Sequence, residues 1–131
     1  VREDSENPIY YIQYAHARIC SLLKALEEEG HSVKSGAVDL SILSSESERA
    51  LIKELSSFAE EIRMAARDYD PSYINRYLMR LAGAFHRFYN ACRIKGEADD
   101  VANARLLLAA ATRQVLANGL TILGLSKPEK M

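Results

Sequence analysis

Apolar residues recur every three to four positions along almost the whole of this 131-residue chain. This spacing places them on one face of an α-helix, whereas a half-buried strand would alternate apolar and polar residues. No segment alternates strictly over the length of a strand. The pattern therefore predicts an all-α fold, a helical bundle of about four to five helices that share one core.

Proline, glycine and capping residues divide the chain into these helices. Asn7 and Pro8 form a typical helix start, because Asn caps well and Pro suits the first helical position. Gly30 is a stop signal, so the first predicted helix covers about residues 8–29. The serine-rich residues 31–45 are predicted to form a long irregular connection.

A second helical stretch begins at a capping box. Ser45 and Glu48 have the Ser-x-x-Glu spacing in which the two residues cap each other reciprocally. The helical stretch then covers about residues 46–68, and the adjacent Ser56 and Ser57 are expected to break it into two helices.

Two long helices complete the predicted bundle. Asp70 and Pro71 begin the first, Gly96 ends it, and Gly83 within it is expected to allow a close helix crossing. The last helix covers about residues 99–123. Four of its apolar residues recur seven apart, namely Val101, Leu108, Val115 and Ile122.

The charge distribution argues against a general nucleic-acid binder but allows a local site. The net charge is only -1. Residues 1–70 hold 8 basic and 14 acidic side chains, whereas residues 71–131 hold 9 basic and 4 acidic ones. The basic excess of the second half is compatible with a local patch for a polyanion, or with ordinary solvated helices.

The sequence does not indicate a membrane protein, a disulfide-bonded protein or a metal-binding protein. No apolar run approaches the roughly 20 residues that span a bilayer, and the acidic start does not resemble a signal peptide. Cys20 and Cys92 are expected to be free thiols of a cytoplasmic protein. His16 and Cys20 stand four apart, but two ligands are too few for a metal site.

A stripe of aromatic and basic residues is the strongest candidate for a binding surface. Tyr10, Tyr14 and Arg18 follow one another at four-residue intervals, beside the apolar stripe of the first helix. Tyr89 and Arg93 repeat this Tyr-x-x-x-Arg spacing, with Asn90 between them. One interpretation is a binding surface, because tyrosine rings can stack on unpaired bases and arginine can bind phosphate. The other is that the tyrosines lie at the margin of the core with their hydroxyls in water.

Three segments resemble one known family. Asn7 to Cys20 carries Asn-Pro, paired tyrosines and Gln-Tyr-Ala-His-Ala-Arg; Leu81 to Ile94 carries Phe-Tyr-Asn and Cys-Arg; Ala104 to Met131 ends in Leu-Gly, a Pro-Glu-basic turn and a terminal Met. In this order they resemble the C-terminal, DALR-type anticodon-binding domain of arginyl-tRNA synthetases, which are class Ia aminoacyl-tRNA synthetases. The resemblance spans residues 7–131.

The resemblance implies that specific residues contact the anticodon loop of arginine tRNAs. Tyr14 and Arg18 match the Gln-Tyr-Ala-His-Ala-Arg motif, Tyr89 matches Phe-Tyr-Asn, and Met131 matches the terminal Met. These four residues therefore stand at positions that the family motifs define. Three further residues also match motif positions, namely Tyr10, Asn90 and Arg93.

The resemblance also implies a division of labour within a longer parent protein. Residues 1–7 would be a linker from a missing N-terminal catalytic part, and residues 8–131 the anticodon-binding domain. The chain has neither His-x-Gly-His nor Lys-Met-Ser-Lys-Ser, the ATP-binding signatures of class I enzymes, so no catalytic residue is predicted. ATP and Mg would bind the parent's catalytic domain, and no cofactor or metal is expected in this chain.

Two other functions remain open at this stage. The bundle can belong to another class I synthetase that reads a different tRNA. It can also be a helical protein-interaction module that does not bind RNA, which the net charge of -1 would suit. The Tyr-Ala-His-Ala-Arg run and the terminal Met favour the arginine enzyme.

Overall fold

The structure, a computed structural model, describes residues 7–31 and 38–131. These residues form α-helices without a strand, which confirms the all-α prediction. The elements, in chain order, are α1 (Pro8–Glu28), a short 3₁₀ turn (Leu40–Ile42), α2 (Glu46–Ser56), α3 (Phe58–Asp68), α4 (Ser72–Ala91) and α5 (Asp99–Ile122). The predicted linker, apart from Asn7, and residues 32–37 of the predicted irregular connection lie outside the described residues.

The ends of α1 are capped as predicted. The Asn7 side-chain oxygen accepts hydrogen bonds from the backbone N–H groups of Ile9 (2.9 Å) and Tyr10 (3.4 Å). After Glu28 the chain reverses through Gly30, whose φ of +93° favours glycine. The following residue, His31, donates its N–H to the Leu26 carbonyl at 2.8 Å, which satisfies one of the last helical carbonyls.

Local signals also place the starts of the middle helices. Ser45 and Glu48 form both hydrogen bonds of the capping box. The predicted break at the paired serines is confirmed, because α2 ends at Ser56 and α3 begins at Phe58. Asp70 accepts the Ser72 backbone N–H at 3.0 Å, but Pro71 rather than Asp70 is the capping residue and α4 begins at Ser72, so this predicted start is one residue too early.

Helix α4 is the centre of the bundle and contacts each of the other four helices. Its inward face includes Tyr77, which is fully buried and donates its hydroxyl hydrogen to the Glu54 carbonyl. The burial is possible because that bond satisfies the polar end of the ring. The fully buried large residues of the core include Ile12, Ile19, Leu51, Tyr77, Leu78, Leu81, Phe85, Phe88, Leu116 and Leu120.

The close helix crossing lies at a different glycine from the predicted one. A methyl group added to Gly83 would meet only the end of the Arg87 side chain, at 3.4 Å. At Gly119 of α5, the same methyl group would lie 2.6 Å and 3.1 Å from Cδ2 and Cγ of Leu78. Gly119 is therefore the residue that allows α5 to approach α4, and the expectation for Gly83 is wrong.

The seven-residue spacing on α5 does not mark its buried face. Of the four residues, Leu108 is buried, Val101 and Val115 are half-buried, and Ile122 is exposed. The buried face instead includes Ala102, Ala109 and Leu116, together with Leu120. The first three share the seven-residue spacing but lie one position further along the chain, which is about 100° around the helix axis.

Helix α4 ends five residues earlier than Gly96, the predicted end. Cys92 has an extended backbone, with φ of -124° and ψ of 126°. Cys92 and Ile94 are buried, whereas Arg93 and Lys95 are exposed. This alternation suits an extended segment, because residues two apart on a helix point in very different directions.

A buried ion pair joins α2 to α5. Arg105 Nε lies 2.8 Å from a carboxylate oxygen of Glu48, and the two side chains are only 16% and 2% exposed. The Arg105 guanidinium is therefore directed at Glu48 of α2 rather than at solvent. Burial raises the pKa of Glu48, but hydrogen bonds from Arg105 and Ser45 together outweigh it and lower that pKa below its ordinary value.

Substitution of the two glycines should change stability in opposite directions. Gly119→Ala should destabilise the fold by about 1–3 kcal/mol, because the new methyl group overlaps Leu78. Gly83→Ala should stabilise it by about 0.5–1 kcal/mol, because alanine favours the helix and the site has room. Urea denaturation of both variants measures the difference. Equal stabilisation by both substitutions would contradict the close crossing at Gly119.

Removal of the Arg105 guanidinium should strongly lower the free energy of unfolding at neutral pH. Arg105→Met leaves the Glu48 carboxylate buried without its partner, which costs about 3–5 kcal/mol. The pKa of Glu48 is lower in the folded state than in the unfolded state. The ionised carboxylate therefore stabilises the folded protein fully at pH values above its ordinary pKa, and this stabilisation is lost as the pH falls through the lowered pKa. The difference between variant and wild type should therefore shrink in acid.

Arg63→Met is the matched control for this prediction, because Arg63 pairs with Glu60 in full contact with solvent. It should change the free energy of unfolding by less than about 1 kcal/mol. Urea denaturation from pH 7 to pH 3 compares the three proteins. An Arg105→Met variant as stable as the control at pH 7 would refute the importance of the buried pair.

Candidate nucleic-acid interface

Helix α1 presents the predicted aromatic stripe along one margin of the bundle. The rings of Tyr10 and Tyr14 lie nearly parallel, with centroids 6.5 Å apart and an interplanar angle of 11°. Tyr14 is 42% exposed, and Arg18 follows one turn later, half-buried. The core residues Ile12, Ala15 and Ile19 face inward. The stripe therefore leaves an aromatic face available to a ligand.

Arg18 connects this stripe to α4. Its guanidinium carbon lies 5.4 Å from the centre of the Tyr89 ring, and its Nη1 lies 3.1 Å from Nδ1 of His86. Arginine can only donate, so His86 Nδ1 accepts and carries no proton. Burial and the nearby Arg18 charge both lower the pKa of His86, which keeps the imidazole neutral at pH 7.

The second predicted pair is arranged differently from the expectation. Arg93 follows the end of α4, so it does not lie one helical turn beyond Tyr89, and the prediction of a second Tyr-x-x-x-Arg face on a helix is wrong. Arg18 takes that position over the Tyr89 ring. Tyr89, Asn90 and Arg93 nevertheless line the same open cleft of about 610 Å³, between α4 and the second half of α1.

The middle of α1 and the last residue of the chain meet in a smaller cleft of about 210 Å³. Its lining residues are Tyr14, Ala17, Arg18, Ser21 and the terminal Met131. Tyr14 and Arg18 were predicted from one motif and Met131 from another, at the far end of the sequence, and the fold brings them together. Since Arg18 also contacts Tyr89, one side chain lies between the small cleft and the larger one.

Two polar residues of α1 hold the C-terminal residues against the helix. Neither was predicted from the sequence to belong to the binding site. Gln13 donates to the backbone oxygen of Ser126 at 3.1 Å, and His16 lies 2.9 Å from the Pro128 carbonyl. The available signal was a histidine between two alanines, next to the apolar stripe of the helix. The sequence alone could not identify its partner, which is more than a hundred positions away.

A third cleft, of about 380 Å³, lies beside the small one and shares Ser21 with it. Cys20 lines it, and burial raises the pKa of this thiol. Both cysteines are unpaired. Within residues 7–31 and 38–131, no group of three or more His, Cys, Asp or Glu residues could hold a metal ion. Nor does any helix there have the length and apolarity to cross a membrane.

Several basic side chains of residues 71–131 form ion pairs with carboxylates of residues 1–70. Arg80 lies 2.9 Å from Glu61 and 3.4 Å from Glu54, and Lys95 lies 3.1 Å from Glu29. Arg105 is likewise paired with Glu48, as described above. These paired cations therefore contribute little to a patch for a polyanion. Lys95 lines the larger cleft together with its partner Glu29, and Arg18 and Arg93 are the other basic residues that line the two aromatic clefts.

The contact between Arg18 and His86 should be visible in the titration of that histidine. We expect His86 to titrate below its ordinary value of 6.5, and the pKa to rise in Arg18→Leu because a nearby positive charge is removed. Histidine NMR signals measured against pH test this, with His86→Gln for assignment. Arg87→Leu, which removes an exposed cation one residue along α4, is the control and should shift the pKa less.

The sign of the linked stability change follows from the direction of that shift. Because the pKa of His86 is lowered on folding, its neutral form stabilises the protein above pH 6.5, and this contribution is lost as pH falls below that value. An unchanged His86 titration in Arg18→Leu would contradict the electrostatic coupling between the two residues.

Comparison with known proteins places these features in a family. The model of the DALR anticodon binding domain matches residues 12–131. The arginine–tRNA ligase of Acetivibrio thermocellus is 47% identical over 132 residues, which include 100% of this chain and 23% of that protein. The arginine–tRNA ligase of Carboxydothermus hydrogenoformans is 51% identical over 130 residues, 98% of this chain and again 23% of that protein.

Solved structures agree with the sequence relatives. Thermus thermophilus arginyl-tRNA synthetase superposes with a TM-score of 0.83 at 32% identity, over 98% of this chain and 22% of that one. A putative arginyl-tRNA synthetase from Campylobacter jejuni gives 0.77 at 26% identity, over 99% and 28%. The chain thus spans about a quarter of the length of these relatives. From its fold and its match over residues 12–131, the chain belongs to the DALR anticodon-binding domain family.

Proposed function

We propose that this chain binds the anticodon loop of arginine tRNAs, as one domain of an arginine–tRNA ligase. The observation that carries the proposal is the meeting of Tyr14, Arg18 and Met131 in one cleft, with Tyr89 in contact with Arg18. An exposed aromatic face beside a guanidinium is suited to single-stranded bases, which offer both a π-face and polar edges.

The small cleft is proposed to hold one unstacked base. The Tyr14 ring, already stacked on Tyr10, provides a flat surface for it, and Met131 provides an apolar contact on the other wall. Arg18 has donors that are not used by His86, and these can bind a base edge or a phosphate. Stacking would supply affinity, and hydrogen bonds would supply selectivity.

The larger cleft is proposed to contact a neighbouring nucleotide. The Tyr89 ring is covered on one side by Arg18 and lies parallel to Phe85 at 6.1 Å, so it is held rigidly. Asn90 can both donate to and accept from a base edge, and the exposed Arg93 can neutralise a phosphate. The Arg93 carbonyl accepts a hydrogen bond from the partly buried Arg105, which fixes the backbone there.

The arginine codons suggest what such a site should read. All of them have G in the middle, so every arginine tRNA has C in the middle of its anticodon. One cytosine-reading site would therefore serve every isoacceptor, and flanking bases need only be stacked. A mismatch at this base should cost about 1–3 kcal/mol, the range found for good base-edge contacts.

The parent activity is proposed to be ATP-dependent ligation of arginine to its tRNA. The relatives are named arginine–tRNA ligases, and this chain spans about a quarter of their length without either ATP-binding signature of class I enzymes. We therefore assign ATP, Mg²⁺ and catalysis to a separate catalytic domain of the parent protein, to which this domain would be linked. A cytoplasmic location is proposed from the same likeness.

Binding of an isolated anticodon stem-loop tests the proposal, because sequence-specific RNA recognition targets unpaired loop bases. Wild type should prefer an arginine-tRNA stem-loop over a copy with the middle C changed to U. Tyr14→Ala should weaken binding to the C form by about tenfold or more, because base stacking on an aromatic ring is worth about 1–3 kcal/mol. Fluorescence anisotropy at several salt concentrations measures the dissociation constants.

Tyr69→Ala is the matched control, because Tyr69 is 93% exposed and lies at the end of α3, outside both clefts. It should leave binding unchanged. Affinity should also fall steeply with salt if phosphates are contacted. Equal effects of the two tyrosine substitutions, or equal binding of the C and U forms without salt dependence, would overturn the proposal and favour a protein-interaction module.

A further inference from the structure

The last residues of the chain return along α1 after α5 ends. Helix α5 ends at Ile122, and Gly124, with φ of +73°, turns the chain. The Leu125 N–H donates to the Leu120 carbonyl at 2.8 Å and closes the turn. Residues 126–131, here called the C-terminal tail, then run along α1 toward the candidate site, without helical structure.

Two side chains of α1 hold the C-terminal tail in place. Gln13 Nε2 donates to both the backbone oxygen (3.1 Å) and the hydroxyl oxygen (3.0 Å) of Ser126. His16 Nδ1 lies 2.9 Å from the Pro128 oxygen. A carbonyl oxygen only accepts, so His16 Nδ1 carries the hydrogen and donates it. His16 is only 5% exposed, so water competes little for this bond.

The C-terminal tail has no other backbone attachment within the part of the chain that the structure describes. Its residues form no backbone–backbone hydrogen bond beyond the turn at Leu125. Short terminal segments are poorly ordered unless side chains or packing tie them down. The two α1 side chains are therefore the polar contacts that decide where the C-terminal tail lies.

The consequence is the position of Met131. Gln13 and His16 lie one turn apart on α1, adjacent to Tyr14 and Ala17, and they hold the C-terminal tail at two successive points. Three residues beyond Pro128, Met131 reaches the cleft formed by Tyr14 and Arg18. Without these contacts the cleft would lose the wall that Met131 provides.

We propose that Gln13 and His16 are positioning residues that hold the C-terminal tail on α1, so that Met131 completes the base-binding cleft beside Tyr14. The role in binding rests on the proposed function, whereas the anchoring does not. His16 and Arg18, in the His-Ala-Arg part of the motif, then have different roles. His16 holds the wall of the cleft, and Arg18 lies within it.

The anchoring can be measured without RNA. The chain has three methionines, so methyl-labelled methionine gives three NMR signals, and Met131→Leu assigns one of them. In wild type the Met131 methyl signal should be shifted by the Tyr14 ring. Gln13→Leu, a change on the half-buried margin of α1, should move this signal toward that of an unstructured methionine.

Three further variants make this measurement specific. His16→Leu should have the same effect, and His16→Asn should preserve the anchored signal, because the amide can donate near the position of Nδ1. Gln114→Leu is the matched control, since Gln114 donates to Asn118 within α5 and does not touch the C-terminal tail. Thermal denaturation checks that each variant is folded.

The binding role is tested by a double-mutant cycle with the anticodon stem-loop. Gln13→Leu should weaken binding about three- to tenfold, the usual effect of losing about one hydrogen-bonded contact. In a Met131→Gly background the same substitution should have no further effect, because both changes remove the same wall. Full additivity of the two changes would overturn the positioning role.

The two proposals fail in different ways. A Met131 methyl signal that stays in place in both Gln13→Leu and His16→Leu would overturn the anchoring, whatever RNA does. A signal that moves as expected, in a protein that does not distinguish the C and U stem-loops, would overturn the proposed function and leave the anchoring supported.

Discussion

The burial of α4 by every other helix is the constraint on which the bundle depends. Its inward side chains fill the space between α1, α2, α3 and α5, and the buried hydroxyl of Tyr77 is satisfied by the Glu54 carbonyl. Close approach of α5 requires the absence of a side chain at Gly119, because Leu78 occupies that space. Since interiors are close-packed, a change at this crossing would shift the helices that carry the candidate site.

Polar contacts connect this core to the surface clefts. Glu48 and Arg105 form a buried pair, and Arg105 also donates to the Arg93 carbonyl at the edge of the larger cleft. Arg18 joins α1 to α4 through His86 and Tyr89, and Gln13 and His16 join α1 to the C-terminal tail. Side chains from both ends of the chain are thereby held in one small region, which is the preorganisation that recognition of a flexible loop requires.

Local features of the candidate site were predictable, but its assembly was not. The stripe of Tyr10, Tyr14 and Arg18 follows from helical periodicity, and the structure confirms its position at the core margin. The extension of α4 to Arg93 was wrong, because Cys92 and Ile94 gain burial in an extended segment. Neither the position of Arg18 over Tyr89 nor the partner of His16 could be derived, since each contact joins positions far apart in the chain.

The sequence by itself determined the helical class, the break after Ser56, the caps at Asn7 and Ser45, and the family motifs. These depend on interactions within a few residues, which short patterns report directly. The tertiary structure alone decided that Gly119 rather than Gly83 marks the close crossing, that Arg105 is buried with Glu48, and that Met131 meets Tyr14. The reason is physical: these contacts depend on how whole helices pack, and packing is a property of the complete set of interacting surfaces.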